Sequence, residues 1–534
     1  MTNMKKKLLL VLLALMPMIV SAEEVEIDGL WYNLISKGQV AEVIQYKNNI
    51  YYSGDIEIPA KITLESVEYS VVAIGEGAFN GCDNLTSIII PNTVTSINYK
   101  AFYGCGRITS IIIPNSVTYI GSFAFGNCIS LSTVFMPSSV TTIDGSAFYK
   151  CENLTSLHIT DLASWCNITF VTSKSNPLYY ARHLYLNGEE VNDLIIPYNV
   201  YGIGNYAFGY FSGLTSVTIS DNVTNIGDCA FSGCKGLTSV VISNSVTTIG
   251  KSVFSGCSSL TSLTMGNKVT TIGENAFSGC SSLSSLVLPN NLSTIEKSAF
   301  AGCSSLTSLT MGNKVTTIGE NAFSGCSSLS SLVIPNSVKT IGAKAFFGGA
   351  SLTSLIIGNY IRNINSQAFA DCEKLTEVFC YAETVPSTYS DAFNNSYIEY
   401  ATLHVPAASL EAYKAATPWS GFKNIVPIDG ETPIVEKCAT PTITYANGKV
   451  RFACETEGVE YVPTVTCSPN QLQNGNELAI GGTFTVSVYA VKEGYENSDT
   501  ATMTINMSQM GDLNADGQIS IADVTSLVNV ILGK

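Results

Sequence analysis

The sequence predicts a mainly β protein whose central part is a repeat solenoid, and two observations carry this prediction. The block GCSSLTSLTMGNKVTTIGENAFSGCSSLSSLV begins at Gly256 and begins again at Gly302, 46 residues later. The pattern Ala-Phe-x-x-Cys recurs every 23 residues, so the duplicate is two units copied together. A chain of 534 residues that is 46% apolar and 13% charged is too long for one ordinary core and too apolar for disorder.

The position of the cysteine in this pattern, here called the slot, defines 12 units. Phe211 and Gly349 fill the slot in two units, and cysteine fills it in the others: Cys82, Cys105, Cys128, Cys151, Cys234, Cys257, Cys280, Cys303, Cys326 and Cys372. A period of 20–29 residues with Leu-x-x-Leu-x-Leu character is the leucine-rich-repeat signature. We therefore expect a leucine-rich-repeat solenoid over residues 23–430.

One unit shows how a coil forms. Ile88 and Ile90 alternate along a short strand and point one way, and Pro91 ends the strand because it has no N–H to donate. Gly104 permits the turn back. A single unit cannot bury its own apolar side chains, so we expect stacked coils to bury this set mutually: Leu85, Ile88, Ile90, Val94, Ile97, Ala101, Phe102 and Cys105.

Two outward-facing columns are candidates for ligand contact. Recurrent Thr-Ser pairs, such as Thr86-Ser87 and Thr109-Ser110, form a hydroxyl column that either hydrogen-bonds a glycan or provides only a soluble, β-favouring surface. The apolar column beside it is either a protein-contact surface or a set of residues chosen for strand propensity. Its members are Ile89, Ile112, Phe135, His158, Thr218, Val241, Thr264, Val287, Thr310, Val333, Ile356 and Phe379.

The slot cysteines are predicted to be reduced, buried fillers. Exported proteins can form disulfides, and adjacent coils could satisfy the distances, but Phe211 and Gly349 occupy the slot without a partner. Zinc is disfavoured because the chain has three histidines and no paired C-x-x-C motif.

The repeat is interrupted by an insertion near 160–197 and closed by a C-terminal cap near 376–430. The insertion is rich in aromatic residues and carries Asn187-Gly188, the signal of a hairpin turn. Its aromatics either form a specific ligand site or pack onto the solenoid. In the cap, residues 408–416 are predicted to be helical, and Trp419 and Phe422 to cover the open end of the core.

The two ends of the chain add three further segments. Residues 1–22 have the basic start, apolar run and small-residue cleavage site of a signal peptide, which predicts a secreted protein. Residues 430–437 look like a linker. In residues 438–507, apolar and polar side chains alternate with period two, and Asn447-Gly448 is a hairpin-turn signal. This pattern predicts a small immunoglobulin-like β-sandwich.

The last segment, 511–534, predicts a single calcium loop followed by a helix. A sharp glycine turn at Gly517 is surrounded by oxygen ligands at the spacing that calcium requires. The predicted metal ligands are Asp512, Asn514, Asp516, Gln518, Ser520 and Asp523.

The unit Leu-x-x-Ile-x-Ile-Pro-Asn-Ser-Val-x-x-Ile-Gly-x-x-Ala-Phe-x-Gly-Cys resembles the BspA-like leucine-rich repeats of bacterial surface proteins. The likeness covers about residues 25–428 and implies a cell-surface or secreted protein that adheres to host matrix proteins or other cells. The last 24 residues resemble one half of a type I dockerin, which implies a calcium-loaded segment that docks a cohesin. Dockerins usually carry two such repeats, and this chain carries one.

These observations predict a non-catalytic adhesin. The alternative is a carbohydrate-associated binding module, recruited to a surface complex through the dockerin-like segment. An enzyme is disfavoured because His158, His183 and His404 show no arrangement with a nucleophile and an acid. The net charge of −15 excludes nucleic acid as a partner, and no segment after the signal is long and apolar enough to span a membrane.

Overall fold

The computed structural model describes residues 22–35, 37–45, 51–428, 438–446, 449–469, 482–491, 498 and 500–506. By internal contacts the chain divides into two compact units, Met1–Glu190 and Val191–Lys534. The predicted signal peptide up to Ser21, the linker at 430–437 and the calcium segment at 511–534 lie outside the described residues.

An antiparallel meander opens the first unit. Strands Ala22–Ile27, Leu30–Ile35 and Val40–Ile44 pair in sequence order. The third strand then pairs in parallel with Val67–Ile74, which also pairs antiparallel with Lys61–Leu64. Since Val67–Ile74 pairs in parallel with the first short strand of the repeats, the meander continues directly into the repeat stack.

Each repeat of the first unit contributes a long strand and, about ten residues later, a short strand. Long strands of successive coils pair in parallel, except that Leu85–Ile89 and Ser110–Ile112 belong to separate sheets, and short strands pair in parallel as well. The long strands are Gly54–Glu57, Leu85–Ile89, Ser110–Ile112, Thr133–Met136, Ser156–Ile159 and Leu184–Leu186. The short strands are Ser96–Ile97, Tyr119–Ile120, Thr142–Ile143 and Thr169–Phe170.

The second unit repeats the same arrangement with more coils. Its long strands are Asp193–Ile195, Ser216–Thr218, Ser239–Ile242, Ser262–Met265, Ser285–Val287, Ser308–Thr310, Ser331–Ile334, Ser354–Ile357, Glu377–Cys380, Thr402–Val405 and Asn424–Pro427. Its short strands form one nine-stranded sheet: Gly202–Ile203, Asn225–Ile226, Thr248–Ile249, Thr271–Ile272, Thr294–Ile295, Thr317–Ile318, Thr340–Ile341, Asn363–Ile364 and Ser387–Thr388. Partners such as Ser239 and Ser262 lie one 23-residue period apart, which confirms the predicted repeat.

The core of each unit is a column of stacked phenylalanine rings from the Ala-Phe motif. In the first unit, Phe79, Phe102, Phe125 and Phe148 stack with centroid separations of 5.1–5.3 Å. In the second, the column runs from Phe208 to Phe393 at 5.2–5.5 Å. These rings are buried, and offset stacking at this distance is favourable for aromatic pairs.

The insertion supplies two short helices, and the cap supplies a third. The α-helices are Leu162–Cys166, Leu178–Ala181 and Leu410–Ala415, and the 3-10 turns are Ser173–Ser175, Ile398–Tyr400, Ala407–Ser409 and Trp419–Gly421. Asp161 caps the first helix, because its Oδ2 accepts a hydrogen bond from the Ser164 amide at 2.8 Å. The predicted hairpin at Asn187-Gly188 is confirmed by the antiparallel pairing of Leu184–Leu186 with Glu189–Glu190.

The cap closes the apolar core of the second unit. Trp419 and Phe422 are buried and meet the last phenylalanine of the column, Phe393, edge to face at 5.5 Å. Tyr413 on the helix donates a hydrogen bond from its hydroxyl to the Ala382 carbonyl at 2.9 Å. The predicted role of Trp419 and Phe422 as a cover for the end of the core is confirmed.

Beyond the cap, the described residues form two antiparallel sheets. Thr442–Ala446 pairs with Lys449–Ala453, and Gly482–Val491 pairs with both Glu460–Pro469 and Ala501–Asn506. The period-two alternation is thus borne out as strands. The immunoglobulin-like sandwich over 438–507 stays a prediction.

Candidate binding face

The outer side of the long strands, here called the strand face, carries the two predicted columns. In Ser239–Ile242, Val240 and Ile242 are fully buried, whereas Val241 between them is half-buried and turned outward. This alternation follows from the pleat of a strand. Since the parallel register is kept from coil to coil, equivalent side chains line up across the face.

Many hydroxyls of the hydroxyl column form hydrogen bonds within the solenoid. In most coils the threonine hydroxyl of this column donates to a backbone carbonyl of the preceding coil, for example from Thr238 Oγ1 to the Thr215 oxygen at 3.0 Å. The same bond recurs at 3.0–3.2 Å for Thr261, Thr307, Thr353 and Thr376. Because these hydroxyl protons already have acceptors, the column favours its role as a stabilising surface over glycan recognition.

An aspartate begins the hydroxyl column in each unit. Asp55 Oδ1 accepts hydrogen bonds from Ser87 Oγ at 2.6 Å and from Thr86 Oγ1 at 2.7 Å. These bonds lower the pKa of the Asp55 carboxyl, the one from Ser87 most. Asp193 accepts the equivalent bonds from Ser216 and Thr215 at 2.5 and 3.0 Å. Each first coil therefore holds a carboxylate where the next coil holds a hydroxyl.

The apolar column is most exposed in the first unit. Ile89, Ile112 and Phe135 are 60%, 68% and 40% exposed, so their apolar surface faces solvent. Parallel pairing places Phe135 beside His158 and His158 beside Tyr185. These five residues are here called the first-unit column.

The last three residues of the first-unit column form a stack of rings. The Phe135, His158 and Tyr185 rings lie 4.6 Å apart between successive centroids and are nearly parallel. Partial burial lowers the pKa of His158 below its ordinary value, so the imidazole is neutral at pH 7. The stack is therefore an uncharged, flat aromatic surface continuous with the exposed isoleucines.

The corresponding column of the second unit is less exposed. It starts with Ile195, which is exposed and pairs with Thr218. From Thr218 to Phe379 the predicted column residues are half-buried. At its far end Phe379 stacks on His404 at 4.2 Å, and His404 Nε2 lies 2.8 Å from Glu377 Oε2.

Tyr185 and Ile195 belong to these columns, although the repeat spacing did not identify them. They lie in the 37-residue insertion, where counting in steps of 23 fails. The available signal was the strand-like pattern of their own segments, Leu184–Leu186 and Asp193–Ile195.

The slot cysteines are buried free thiols, which confirms their predicted role as fillers. Each thiol except that of Cys82 donates to the carbonyl oxygen of the motif phenylalanine in the preceding coil, at 3.0–3.6 Å. Burial raises the pKa of these thiols, for instance that of Cys234 to about 12. They are therefore protonated and poorly nucleophilic at neutral pH.

The aromatics of the insertion mostly pack inward. Trp165 and Phe170 are buried, with ring centroids 5.2 Å apart. Tyr180 accepts a hydrogen bond at its hydroxyl oxygen from the Lys150 amide at 2.9 Å. Of the two interpretations of this segment, the structure favours packing onto the coils over a protruding ligand site.

The remaining titratable groups give no catalytic arrangement in the described part of the chain. His183 pairs with Glu190 at 2.7 Å and His404 with Glu377 at 2.8 Å, and within the described ranges neither imidazole bonds a hydroxyl or thiol. Among the same residues, no three or more His, Cys, Asp and Glu side chains are grouped so that they could hold a metal.

The predicted calcium site lies outside this part of the chain. Its ligands Asp512, Asn514, Asp516, Gln518, Ser520 and Asp523 all fall in the segment after residue 506, so calcium binding stays a prediction. Among the helices of the described residues, none has the length and apolar character needed to cross a membrane.

Comparison with known proteins identifies the repeats. A family model described as the BspA type leucine rich repeat region matches in six copies over residues 56–176, 181–307 and 293–414, more than half of the chain. The chain belongs to the BspA-type leucine-rich-repeat family. The match ends at residue 414 and does not reach the dockerin-like segment.

Solved structures and curated proteins were also compared. A leucine-rich repeat protein from Bacteroides ovatus is 25% identical, with 75% of this chain and 99% of that chain covered and a TM-score of 0.48. A leucine rich cell surface protein from Faecalibacterium prausnitzii is 24% identical, with 77% and 96% covered and a TM-score of 0.39. No curated protein matches.

BspA-type repeats in this chain thus present a regular strand face, with exposed apolar side chains concentrated in the first unit. The slot thiols, the phenylalanine column and most hydroxyls serve the stack itself. On the strand face of the first unit, the first-unit column is the exposed apolar surface that a partner can contact.

Proposed function

We propose that the chain is a non-catalytic, secreted or cell-surface adhesin that binds another protein through the strand face of its BspA-type repeats. The observation that carries this proposal is the first-unit column, in which two exposed isoleucines are followed by a stack of three rings that begins with the exposed Phe135. Contiguous exposed apolar surface is uncommon on monomeric proteins and marks interaction sites. Family membership and the signal-peptide pattern of residues 1–22 support export and a binding role.

The chemistry of the column specifies the kind of partner. It offers flat apolar and aromatic surface without a charged group, because His158 is neutral at pH 7. Protein interfaces are built around such anchors, and aromatic residues are enriched among those that contribute most to binding. The partner should therefore present an apolar patch, as a host matrix or cell-surface protein would.

The alternative of a carbohydrate-associated module has less support on this face, because several threonine hydroxyls of the column already donate to backbone carbonyls. Recruitment through a cohesin-like partner depends on the dockerin-like segment and on calcium at Asp512–Asp523. That part of the proposal is tested separately by calcium binding.

The binding experiment uses the mature chain and a panel of purified matrix proteins, with fibronectin, laminin and collagen as probes. Ile112→Thr and Phe135→Thr introduce the residue that Thr218, Thr264 and Thr310 carry at the same place, so the strand tolerates them. The double variant should bind at least about tenfold more weakly, as expected for loss of central anchors.

Ile129→Thr is the matched control, because Ile129 is 55% exposed but lies in a turn outside the long strands. It should leave binding unchanged. If the wild type, the double variant and Ile129→Thr bound a matrix protein equally well, the proposal would be wrong. Binding of the wild type to a glycan panel and to no matrix protein would also contradict it.

A further inference from the structure

The turns that follow the short strands of the first unit carry an unusual cluster of aromatic and cationic side chains. Phe123 lies at its centre, with the rings of Tyr99, Tyr103 and Tyr149 edge-on at 5.9–6.4 Å. Lys100 Nζ lies 5.0 Å from the Tyr99 centroid and 5.5 Å from that of Tyr103. Lys150 and Lys174 lie 5.6 and 5.3 Å from the Tyr149 centroid. These seven residues are here called the turn cluster.

The cluster departs from the pattern of the repeat. The position of Phe123 is left-handed in most coils, which fill it with small or polar residues such as Ser146, Ser252 and Asn275, and Tyr206 is the other aromatic residue found there. Phe123 itself has φ of 57°. A bulky apolar residue in this region of the backbone is uncommon, and strain of this kind concentrates at functional sites.

A glycine makes room for the rings. Gly126 stands where the preceding and following coils have Tyr103 and Tyr149, and a Cβ at Gly126 would lie 2.8 Å from Cδ2 of Tyr103. The absence of a side chain at Gly126 therefore lets the Tyr103 ring lie across this coil. Aromatic residues in two coils and a glycine between them form one continuous surface.

The cations of the cluster have no carboxylate to neutralise them. Within the described ranges, none of Lys100, Lys150 and Lys174 forms an ion pair, although Lys61, Lys297 and Lys414 do. Glu152 is the acidic residue closest in sequence to Lys150 and forms no ion pair within the described ranges. Asp144 already accepts hydrogen bonds from the Tyr119 hydroxyl at 3.1 Å and the Gly145 amide at 2.8 Å. Three free ammonium groups on an acidic protein make a local positive patch that suits an anion.

We propose that the turn cluster binds an acidic polysaccharide, with its rings contacting the C–H faces of the sugars and its lysines contacting the carboxylates. Aromatic side chains with a few charged groups are the usual lining of ligand sites. Lys100 and Lys150 lie two coils apart, roughly 10 Å along the stack, which is about the length of a disaccharide. This site is on the turns and shares no residue with the first-unit column, so the two proposals are tested independently.

A polysaccharide fits this surface better than an acidic peptide. A peptide that adds to a sheet needs unpaired backbone groups, but the amides here are already bonded between coils, as from Lys100 N to Ser122 O at 3.0 Å and from Phe123 N to Gly145 O at 3.3 Å. Sugar rings require only ring faces, hydroxyls and charge.

The test measures binding of the mature chain to immobilised hyaluronan, with neutral dextran and poly-glutamate as the other probes. The double variant Lys100→Ser and Lys150→Asn introduces residues that other coils carry at the same repeat positions, where Ser146 and Asn127 stand. It should bind hyaluronan at least about tenfold more weakly, and raising the ionic strength to roughly 0.5 M should weaken the wild type. Phe123→Ser should also weaken binding at low salt, with folding unchanged because it relieves the unfavourable backbone.

Lys344→Ser is the control, since Lys344 occupies the repeat position of Lys100 in the second unit and lies over a single ring, that of Phe347. It should bind like the wild type, as should Ile112→Thr. Unchanged hyaluronan binding in the double variant, equal binding of dextran, or binding of poly-glutamate without hyaluronan would each overturn the proposal. Absence of binding to hyaluronan would overturn it as well.

Discussion

The thiol of Cys257 donates a hydrogen bond to the backbone carbonyl of Phe231, 3.3 Å away in the preceding coil. The two residues are 26 positions apart, one period plus the three residues that separate phenylalanine from cysteine in the motif. The same carbonyl also accepts the amide N–H of Cys234 in its own coil at 3.3 Å, so the thiol adds a second hydrogen bond that joins the two coils. The Ala-Phe-x-x-Cys motif thus joins its own coil to its neighbour through both a ring and a thiol.

Cys257→Ala should lower the free energy of unfolding by about 1–2 kcal/mol, because it leaves a small cavity and removes one of the two hydrogen bonds that the Phe231 carbonyl accepts. The measurement is the urea midpoint of the mature chain. Cys229→Ala is the control, since Cys229 lies outside the slot and is half-buried, and it should change stability by less than about 0.5 kcal/mol. Equal effects of the two substitutions would contradict the structural role of the slot.

Stability should decrease in alkaline solution. Burial raises the pKa of Cys151, Cys234, Cys303 and Cys372 from an ordinary value of 9.0 to about 12. The unfolded chain therefore loses these protons first, and stability falls as the pH rises from about 9 towards 12. Each thiol contributes about 1.4 kcal/mol per pH unit in that window.

The urea midpoint measured at several pH values tests this dependence. A variant with Cys234→Ala and Cys303→Ala should lose less stability between pH 8 and about 10 than the wild type does. A flat profile in the wild type, or identical slopes in the two proteins, would show that the thiols do not govern the response.

Trp419→Ala should destabilise the C-terminal end of the second unit by about 3–5 kcal/mol, the usual cost of removing a buried tryptophan. Its ring covers Phe393, and its Nε1 donates to Thr388 Oγ1 at 3.2 Å. Hydrogen exchange and limited proteolysis should report opening at the last coils first. Tyr400→Ala, at a residue that is 72% exposed, should behave as wild type; similar protection in both variants would be incompatible with a capping role.

His158 should titrate below its ordinary pKa of 6.5, because partial burial in the ring stack disfavours the imidazolium. Its contribution to stability is present above about pH 6.5 and is lost as the pH falls towards the lower pKa of the folded state. Two-dimensional NMR of the imidazoles measures the midpoint, and His158→Gln assigns the signal. A midpoint at or above 6.5 would contradict a stacked, neutral side chain.

Calcium should bind to the segment from Asp512 to Asp523, because the spacing of its oxygen ligands matches a calcium loop. Calorimetry of the mature chain should give a binding heat that Asp512→Ala with Asp516→Ala removes. Asp371→Ala, in a turn of the repeats, serves as the control and should keep the full heat. No heat in the wild type would eliminate both the loop and its dockerin-like interpretation.

Much of the fold was predictable because the same sequence pattern recurs in every repeat unit. Period, inward side chains, buried cysteines and the covering role of Trp419 and Phe422 all follow from one requirement, that coils without a core of their own must stack. The strand-face columns followed as well, but Tyr185 and Ile195 were missed because the insertion interrupts the count. The turn cluster was missed too, since Tyr99, Phe123 and Tyr149 are far apart in sequence and meet only through stacking.

The sequence by itself determined the 23-residue coil and which side chains point inward, because burial and strand alternation are local rules that each unit repeats. Only the tertiary structure decided which outward groups remain free. The threonine hydroxyls of the Thr-Ser pairs face solvent in the sequence pattern, yet those of Thr238 and Thr261 donate to carbonyls of the preceding coil. Hydrogen bonds and ring contacts between coils depend on three-dimensional register, and no single unit specifies them.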